Sequence, residues 1–313
     1  MTTVLITGGT GLIGNALTLM LVSKGYEVII LSRSVKASDN KSVSYAKWDV
    51  EKGSVDIAAI QKADYIIHLA GAGVADKRWT KKRKQEIVES RTKSGELLVK
   101  ALKENENKVK AFISSSAIGW YGPDLTHPDS NRDSKGEGFK EDAAAHDDFL
   151  GNACKEWEAS TKPIDKLNKR LVYIRTGIVL SNNGGAFKEF KNPIKFGIAA
   201  ILGGGKQMIS WIHIEDICRM YIYAIENEIS GVFNGVAPKP VSNKTLTLEL
   251  AKKIRGKFFI PIHVPSFILK IVLGEMSVEV LKSATVNDNK IRNTGFKFLY
   301  PSLDATLNEL VKK

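Results

Sequence analysis

Apolar residues at the start of the chain fall first in a short run and then at helical spacing. The run is Val4-Leu5-Ile6-Thr7, and after a glycine-rich stretch Leu17, Met20 and Leu21 recur three and four positions apart. A second apolar run occupies residues 27–31. This order predicts a strand, a tight turn, a helix and a second strand.

The alternation of strand and helix patterns continues to about residue 180. Further strands are predicted at residues 43–50, 63–70, 109–113 and 171–175, and helices at about 80–104 and 143–161. Continuous apolar strands that alternate with helices are typical of parallel sheets covered on both faces. The sequence therefore predicts an α/β fold built on a Rossmann-type doubly wound parallel sheet.

The pattern is less regular after residue 181. Residues 211–216 are predicted to open another helix, and short helices separated by prolines follow. We expect residues 1–180 to form the Rossmann domain, with a contribution from about 209–232. Residues 181–313 are expected to form a smaller, partly interleaved C-terminal α/β substrate domain.

Composition narrows the class of protein. Of 313 residues 43% are hydrophobic, and the two cysteines, Cys154 and Cys218, give no disulfide framework, which fits a reducing compartment. No segment reaches the roughly 18 apolar residues of a spanning helix, so we expect a cytoplasmic protein with no membrane partner. The apolar segment 267–273 is predicted as a buried helix, with an interfacial membrane helix as the alternative.

The formal net charge of +12 would suit a polyanionic partner. The lysines are nevertheless spread along the chain, and the dense cluster at residues 77–84 begins a helix without an aromatic-interleaved basic tract or zinc-finger spacing. We expect no nucleic-acid partner. A solvated face, or a rim that attracts an anionic cofactor and substrate, fits the charge better.

The glycines after the first strand predict a phosphate-binding turn. They read as G-x-x-G-x-x-G from Gly8 or as G-x-G-x-x-G from Gly9, and both patterns share Gly11 and Gly14. One glycine makes the turn, one admits a pyrophosphate to the backbone, and one lets the helix pack closely on the strand. The backbone N–H groups at the helix start, with the helix dipole, would face the phosphates. The predicted contacts of this turn are Gly8, Thr10, Gly11, Leu12, Ile13 and Gly14.

The ends of the next strands predict the rest of the dinucleotide site. Ser32 and Arg33 end the second strand, where an acidic residue would select NAD and an Arg suits the 2′-phosphate, so NADP is predicted with NAD as second choice. The alternative for Arg33 is a solvated surface residue. Asp49 could accept from the adenine amino group or be a plain turn residue. The small residues of the Leu69-Ala70-Gly71-Ala72 stretch would let the ribose lie against the backbone.

With these residues, the chain resembles the extended or atypical short-chain dehydrogenases/reductases of the NAD-dependent epimerase/dehydratase superfamily. More narrowly, it is similar to epimerase-family proteins with a small C-terminal domain of unknown role, sometimes labelled sugar-nucleotide epimerases or cell-division inhibitor homologues. The resemblance covers nearly the whole chain. Its motifs are residues 7–14, 69–73, 78–79, 90–91, 114–122, 149–150, 157–158, 175–177, 211–213, 274–276 and 295–298.

The resemblance implies a nicotinamide cofactor along the strand ends and a small polar or nucleotide-linked sugar substrate beneath the C-terminal domain. It adds Arg91, Ser114 and Arg175 to the expected cofactor contacts. In the superfamily, a Ser at the end of the fifth strand forms a hydrogen bond with the reacting oxygen. A Tyr-x-x-x-Lys pair supplies the acid and base. Ser116 matches that Ser by its place in Ser-Ser-Ser-Ala.

The sequence departs from the superfamily at the Tyr-x-x-x-Lys pair. No Tyr is followed by Lys four positions on, and aligning Glu158 with the family's helix glutamate puts Leu150 and Cys154 at the Tyr and Lys places. Tyr121 is the predicted replacement for the proton donor, with a packed aromatic as the alternative. Neither histidines nor cysteines show metal-ligand spacing, so no metal site is predicted.

Two functions are consistent with these residues. The first is an NADP-dependent oxidoreductase or epimerase of the short-chain class with a non-standard proton donor. The second is an NADP(H)-binding regulatory or sensor protein that has lost catalysis, since related folds host both roles. The oligomeric state is open, with a homodimer as one option.

Overall fold

The computed structural model describes residues 1–124 and 138–312, which form strands and helices in alternation. The strands are β1 (Thr3–Thr7), β2 (Glu27–Ser32), β3 (Val43–Asp49), β4 (Ser54–Val55), β5 (Tyr65–His68), β6 (Ala111–Ala117), β7 (Arg170–Thr176), β8 (Ile178–Leu180), β9 (Ile198–Leu202), β10 (Met208–Ile209), β11 (Trp211–His213), β12 (Gly231–Gly235), β13 (Val241–Ser242) and β14 (Ile260–Val264).

The α-helices flank these strands in chain order. They are α1 (Leu12–Ser23), α2 (Ile57–Lys62), α3 (Lys81–Glu104), α4 (Phe149–Thr161), α5 (Ala186–Lys195), α6 (Ile214–Glu226), α7 (Asn243–Arg255), α8 (Ser266–Leu273), α9 (Ser277–Leu281), α10 (Asn289–Asn293) and α11 (Leu303–Leu310). Short 3₁₀ turns follow β6, α4 and α8.

The main sheet is doubly wound, as the sequence predicts. Its strand order is β12-β7-β6-β5-β1-β2-β3-β4, and each pairing is parallel except that of β3 with β4. β1 is buried along its whole length. Its alternate side chains enter two separate apolar clusters, one shared with α1 and α6 and the other with α2 and α3. A helical layer therefore covers each face of the sheet.

The register brings the carboxyl ends of five strands to one edge of the sheet. Thr7 of β1 pairs with Leu31 of β2 and with His68 of β5, and His68 pairs with Ser114 of β6. Ser116 at the end of β6 pairs with Arg175 of β7. In open α/β sheets ligands bind outside these carboxyl ends.

The C-terminal part of the chain has an apolar cluster of its own and also contributes to the main sheet. That cluster joins α5, α7, α11 and β9. In contrast, α6 packs on α1, and β12 pairs with β7 at one end of the main sheet. This placement agrees with the predicted interleaving, while the division at residue 180 stays a prediction.

Three local predictions need correction. The helix predicted from residue 143 begins at Phe149, because the Asp148 side chain caps it by accepting the Gly151 N–H. Residues 211–213 form strand β11 instead of the opening turn of a helix. Residues 266–273 are helical, but the prediction of burial is wrong: among the residues of α8 only Leu269 is buried. Across the described parts of the chain, no helix has both the length and the apolar character to cross a bilayer.

Candidate functional site

The glycine turn has the geometry that a phosphate-binding loop requires. Gly8 has a φ of +69°, which favours glycine, and a Cβ there would lie 2.8 Å from the carbonyl carbon of Leu69. A Cβ at Gly14 would lie 2.3 Å from the Gly8 carbonyl oxygen. Gly8 therefore makes the turn, and Gly14 permits the close packing of α1 on β1.

The N-terminus of α1 is open to an anion. Gly11 is the N-cap and offers no side chain, and the first turn of the helix contains no acidic residue. The N–H groups of Leu12, Ile13 and Gly14 belong to the first turn, where the helix itself supplies no acceptor. Thr10 and Gly11 are exposed. Oriented N–H groups and the helix dipole therefore face the edge of the sheet where phosphates are predicted.

The end of β2 carries an exposed cation. Arg33 is exposed and forms no ion pair within residues 1–124 and 138–312, and the preceding Ser32 is half-buried. Asp49, at the end of β3, accepts the Lys52 N–H at 3.1 Å through one carboxylate oxygen. Asp49 therefore acts as a turn residue, and its contact with the adenine amino group stays a prediction.

Backbone and side-chain groups near the end of β5 are held by hydrogen bonds. The N–H groups of Leu69 and Ala70 both donate to the Thr7 hydroxyl at 3.1 Å. Arg91 donates to the Ala72 carbonyl at 3.0 Å, and its Cζ would lie 2.9 Å from a Cβ at Gly71. Burial lowers the pKa of Arg91 to about 10, so the guanidinium stays charged at neutral pH.

His68 is a neutral residue of the interior. Its Nδ1 is hydrogen-bonded with the Thr7 hydroxyl at 2.8 Å, and its Nε2 lies 3.4 Å from the Ser94 hydroxyl. Burial lowers the pKa of His68 to about 4. The imidazole thus positions Thr7, whose hydroxyl in turn holds the backbone after β5.

A buried ionic network occupies the place where the sequence predicts catalysis. Arg175 donates to both carboxylate oxygens of Glu158, at 2.9 and 3.0 Å, and its Cζ lies 3.6 Å from the ring centroid of Trp120. Ser116 donates to Glu158 at 2.7 Å. Arg175 also donates to the Tyr121 hydroxyl at 3.0 Å. These side chains form one charged, hydrogen-bonded unit beneath the strand ends.

The burial of this network changes the interpretation of Tyr121. Its ring is fully buried and stacks on Phe139, and its hydroxyl donates to Asn234 at 2.7 Å. Burial raises the pKa of Tyr121 to about 12. A phenol without solvent access and with a raised pKa is a poor proton donor at neutral pH, which favours the packed-aromatic alternative.

Two expected cofactor contacts are also interior residues. Arg175 is buried and fully engaged with Glu158, Tyr121 and the Glu141 carbonyl. Ser114 is buried, and its hydroxyl donates to the adjacent Ser115 carbonyl. Neither side chain presents a free polar group to the edge of the sheet, so the structure argues against direct contact of either side chain with a cofactor.

The two residues that the resemblance aligns with the Tyr and Lys of the superfamily have no acid or base function. Leu150 and Cys154 lie on α4 against Gly119, where a Cβ would be 3.1 Å from the Leu150 Cβ and 3.7 Å from the Cys154 sulfur. Burial raises the pKa of the Cys154 thiol to about 11. The thiol is therefore protonated at neutral pH and is not a nucleophile.

A titratable cluster at the start of α4 was missed by the sequence reasoning. His146 Nδ1 lies 3.0 Å from Asp148 Oδ2. Lys282 forms ion pairs with Asp148, at 3.4 Å, and with Glu279, at 2.7 Å. Burial would raise the pKa of Asp148, but the Gly151 N–H, Lys282 and His146 together lower it. The sequence signal that could have revealed this cluster is a His two residues before a helix-capping Asp.

Within the described residues no group of three or more His, Cys, Asp or Glu is arranged to hold a metal ion.

Comparison with known sequences identifies two parts of the chain. Residues 4–142 match the NAD dependent epimerase/dehydratase family, and residues 264–310 match a domain of unknown function, DUF1731. The chain is 36% identical over 310 residues to the Epimerase family protein SAR0825 of Staphylococcus aureus, covering 99% of both proteins. It is 35% identical over 308 residues to the Epimerase family protein YfhF of Bacillus subtilis, covering 98% of this chain and 97% of YfhF.

Solved structures share the whole fold. The human epimerase family protein SDR39U1, solved with NADPH, is 30% identical with a TM-score of 0.84 over 99% of both chains. A nucleoside-diphosphate sugar epimerase from Corynebacterium glutamicum is 30% identical with a TM-score of 0.76, over 99% of this chain and 58% of that one. These matches confirm the predicted resemblance. The chain belongs to the NAD-dependent epimerase/dehydratase family, among the epimerase family proteins that carry the DUF1731 domain at the C-terminus.

Proposed function

We propose that this protein binds NADP(H) and acts as an oxidoreductase or epimerase on a small polar substrate, with nucleotide-linked sugars among the candidates. The observation that carries the proposal is the open N-terminus of α1 together with the exposed Arg33, which forms no ion pair within the described residues. The first feature suits a diphosphate, and the second suits the additional phosphate that distinguishes NADP from NAD. The human relative SDR39U1 was solved with NADPH, which supports this choice.

The residues present fit such a cofactor. A side chain at Gly8 or Gly14 would collide with backbone, so the turn keeps its N–H groups accessible. Ser32 and Arg33 would hold the adenosine phosphate, and the Leu69-Ala70 backbone, fixed by Thr7, would support a ribose. Contacts of Asp49, Gly71, Ala72 and Arg91 are proposed on the same edge of the sheet. When bound, the nicotinamide would supply hydride transfer.

Proton transfer needs a group other than the Tyr-x-x-x-Lys pair. The catalytic roles of Ser116 and Tyr121 stay predictions, because both hydroxyls already donate to buried acceptors. We propose His146 as the acid–base group. Its imidazole is exposed, Asp148 holds Nδ1, and it lies three residues before the start of α4 at Phe149. An imidazole held by a carboxylate is suited to proton transfer near neutral pH.

The second candidate is an NADP(H)-binding protein without catalysis. Leu150 and Cys154 at the Tyr and Lys places, and the burial of Tyr121, favour it. The two candidates agree on cofactor binding and differ in turnover. Cofactor affinity and turnover must therefore be measured separately.

Cofactor titrations test the binding proposal. We expect NADPH to bind more tightly than NADH, and Arg33→Ala to weaken NADPH binding at least tenfold (about 1.5 kcal/mol for a charged hydrogen bond) while NADH binding is unchanged. Lys41→Ala is the matched control, because Lys41 is also exposed and forms no ion pair within the described residues. Equal affinities for the two cofactors would contradict the assignment.

Turnover tests the choice between the candidates. NADPH oxidation is measured with a panel of sugar nucleotides and small carbonyl compounds, for the wild type and for Ser116→Ala, Tyr121→Phe and His146→Gln. We expect His146→Gln to lower kcat, with NADPH affinity retained. His263→Gln, in β14, is the control. Tight NADPH binding without turnover of any compound would favour the binding protein.

A further inference from the structure

Helix α8 exposes four apolar side chains on one face. The exposed fractions are 63% for Phe267, 39% for Ile268, 69% for Ile271 and 60% for Val272. These four residues are called the α8 face below. Leu269 and Leu273 anchor the other side of the helix, and Leu273 packs with Trp79 and Met276. A contiguous apolar surface of this kind marks an interaction site more often than it marks a plain surface.

The densest basic stretch of the chain adjoins this helix. Arg78 Nη2 would lie 3.0 Å from a Cβ at Gly274, which follows α8. Lys84 forms an ion pair with Glu275 of the following turn, and Trp79 packs on Met276. The start of α3 and the end of α8 therefore form one continuous surface.

Most cations of that stretch form no close ion pair within the described residues. Lys77, Arg78, Lys81 and Lys82, called the basic segment below, are exposed and form no ion pair anywhere in residues 1–124 or 138–312. Arg83 differs, because it is buried and pairs with Asp76 and Glu86. Glu86 interacts electrostatically with Lys77 and Lys82, but among the described residues positive charge is in excess on the surface beside the α8 face, and the exposed Lys270 adds to it.

We propose that the α8 face and the basic segment form a docking surface for anionic lipid bilayers. Charge decides between the occupants. A second copy of this chain would bring two basic segments towards each other, and like charges repel, whereas phosphatidylglycerol headgroups neutralise them. Protruding apolar side chains beside lysines are the arrangement of helices that lie in the membrane interface. An acidic protein could satisfy the charges, but it would need a groove or a flat face to meet a convex helix.

This proposal is independent of the proposed function and concerns peripheral association only. The sequence predicts no membrane partner, with an interfacial membrane helix at residues 267–273 as the alternative. The proposal favours that alternative, as a surface contact made by α8. The apolar segment predicted as a buried helix is exposed because only one row of its side chains, Leu269 and Leu273, packs against the rest of the protein.

Vesicle flotation tests the proposal with the full-length protein. We expect the wild type to float with mixed phosphatidylcholine–phosphatidylglycerol vesicles and to stay in solution with pure phosphatidylcholine. Raising the salt concentration from about 0.1 M to about 1 M should reduce binding to the mixed vesicles at least tenfold, because the Debye length shortens from about 10 Å to about 3 Å. This measurement requires no variant.

Two pairs of variants locate the surface. Lys81→Glu/Lys82→Glu should weaken binding at least tenfold, whereas Lys100→Glu/Lys103→Glu, which changes the net charge equally near the other end of α3, should leave it within twofold. Phe267→Ser/Ile271→Ser should also abolish flotation. Phe258→Ser/Ile260→Ser is its control, because those exposed apolar residues lie at the opposite end of β14 from α8.

The contrary outcomes are distinct. Absence of flotation with mixed vesicles, or equal losses in the Lys81/Lys82 and Lys100/Lys103 variants, would overturn the lipid proposal. A wild-type dimer that Phe267→Ser/Ile271→Ser converts to monomer would assign the α8 face to a second copy instead. Unchanged flotation of that variant would show that the α8 face does not contact the bilayer and would overturn the lipid proposal.

Discussion

Removing the Glu158 carboxylate should destabilise the protein far more than removing an exposed one. The Glu158–Arg175 pair is the centre of the buried network, with side-chain exposures of 10% and 3% and two charged hydrogen bonds of 2.9 and 3.0 Å. In Glu158→Ala, the guanidinium stays buried without its counter-ion. Ser116 also loses the acceptor of its hydroxyl.

The magnitude follows from the burial of both partners. Breaking a buried ion pair by removing one partner costs about 3–5 kcal/mol, because the remaining charge is uncompensated in a poorly solvated place. The exposed pair Lys24–Glu226 offers a comparison, since its side chains are 48% and 36% exposed. An exposed pair contributes about 0–1 kcal/mol. Glu158→Ala should therefore lower the free energy of unfolding several times more than Glu226→Ala does.

Urea denaturation, followed by circular dichroism and by tryptophan fluorescence, measures both variants. We expect a loss of about 3–5 kcal/mol for Glu158→Ala, with a fall in Tm on the order of 10 °C, and a loss below about 1 kcal/mol for Glu226→Ala. Coincident transitions from the two probes are needed before the free energies are compared. Equal losses in the two variants would refute the argument that burial makes the Glu158–Arg175 pair indispensable.

Three further predictions concern the glycine turn, the interior His and the thiols. Gly14→Ala should lower stability by about 1–3 kcal/mol and weaken NADPH binding, because its Cβ meets backbone, whereas Gly204→Ala, with nothing within 4 Å, should be silent in thermal melts and titrations. The unfolded chain protonates His68 near pH 6.5 but the native protein only near 4, so stability is lost as the pH falls through that interval. Between pH 7.5 and 5 the wild type should lose about 2 kcal/mol more than His68→Asn in urea titrations, and parallel profiles would contradict this. Burial raises the pKa of Cys154 to about 11 and that of Cys218 to about 12. Neither thiol should therefore react with a disulfide reagent at pH 8 until the protein is denatured. Rapid reaction of the native protein would show that a thiol is accessible.

The cofactor edge could be predicted because its signals are local. A glycine turn between an apolar run and a helix fixes backbone conformation within seven residues, and the structure places Gly8 and Gly14 in the roles that the spacing implied. The strand pattern likewise predicts where β2 ends, and Arg33 is exposed at that end. Parallel pairing then brings the ends of β1, β2 and β5 together by register alone.

The catalytic region could not be predicted in the same way. Tyr121 follows the serines in sequence, which made it a candidate, but its partner Asn234 lies 113 positions away. Arg175 matched a motif, yet its place is decided by Glu158 on another element. Whether a phenol or a guanidinium faces a cleft or the interior depends on distant residues that pack on it. His146 showed no ligand spacing, and only the structure reveals its pairing with Asp148 at the start of α4.

The sequence by itself determined the alternation of strands and helices, the glycine turn after β1 and the absence of a Tyr-x-x-x-Lys pair, because these are properties of neighbouring residues and of hydrophobic periodicity. Tertiary structure alone decided that Ser116, Tyr121 and Arg175 form an interior network and that α8 stands exposed. The physical reason is that burial and charge compensation are set by contacts between segments far apart in the chain. An apolar segment such as 267–273 has the same composition whether a partner element covers it or not.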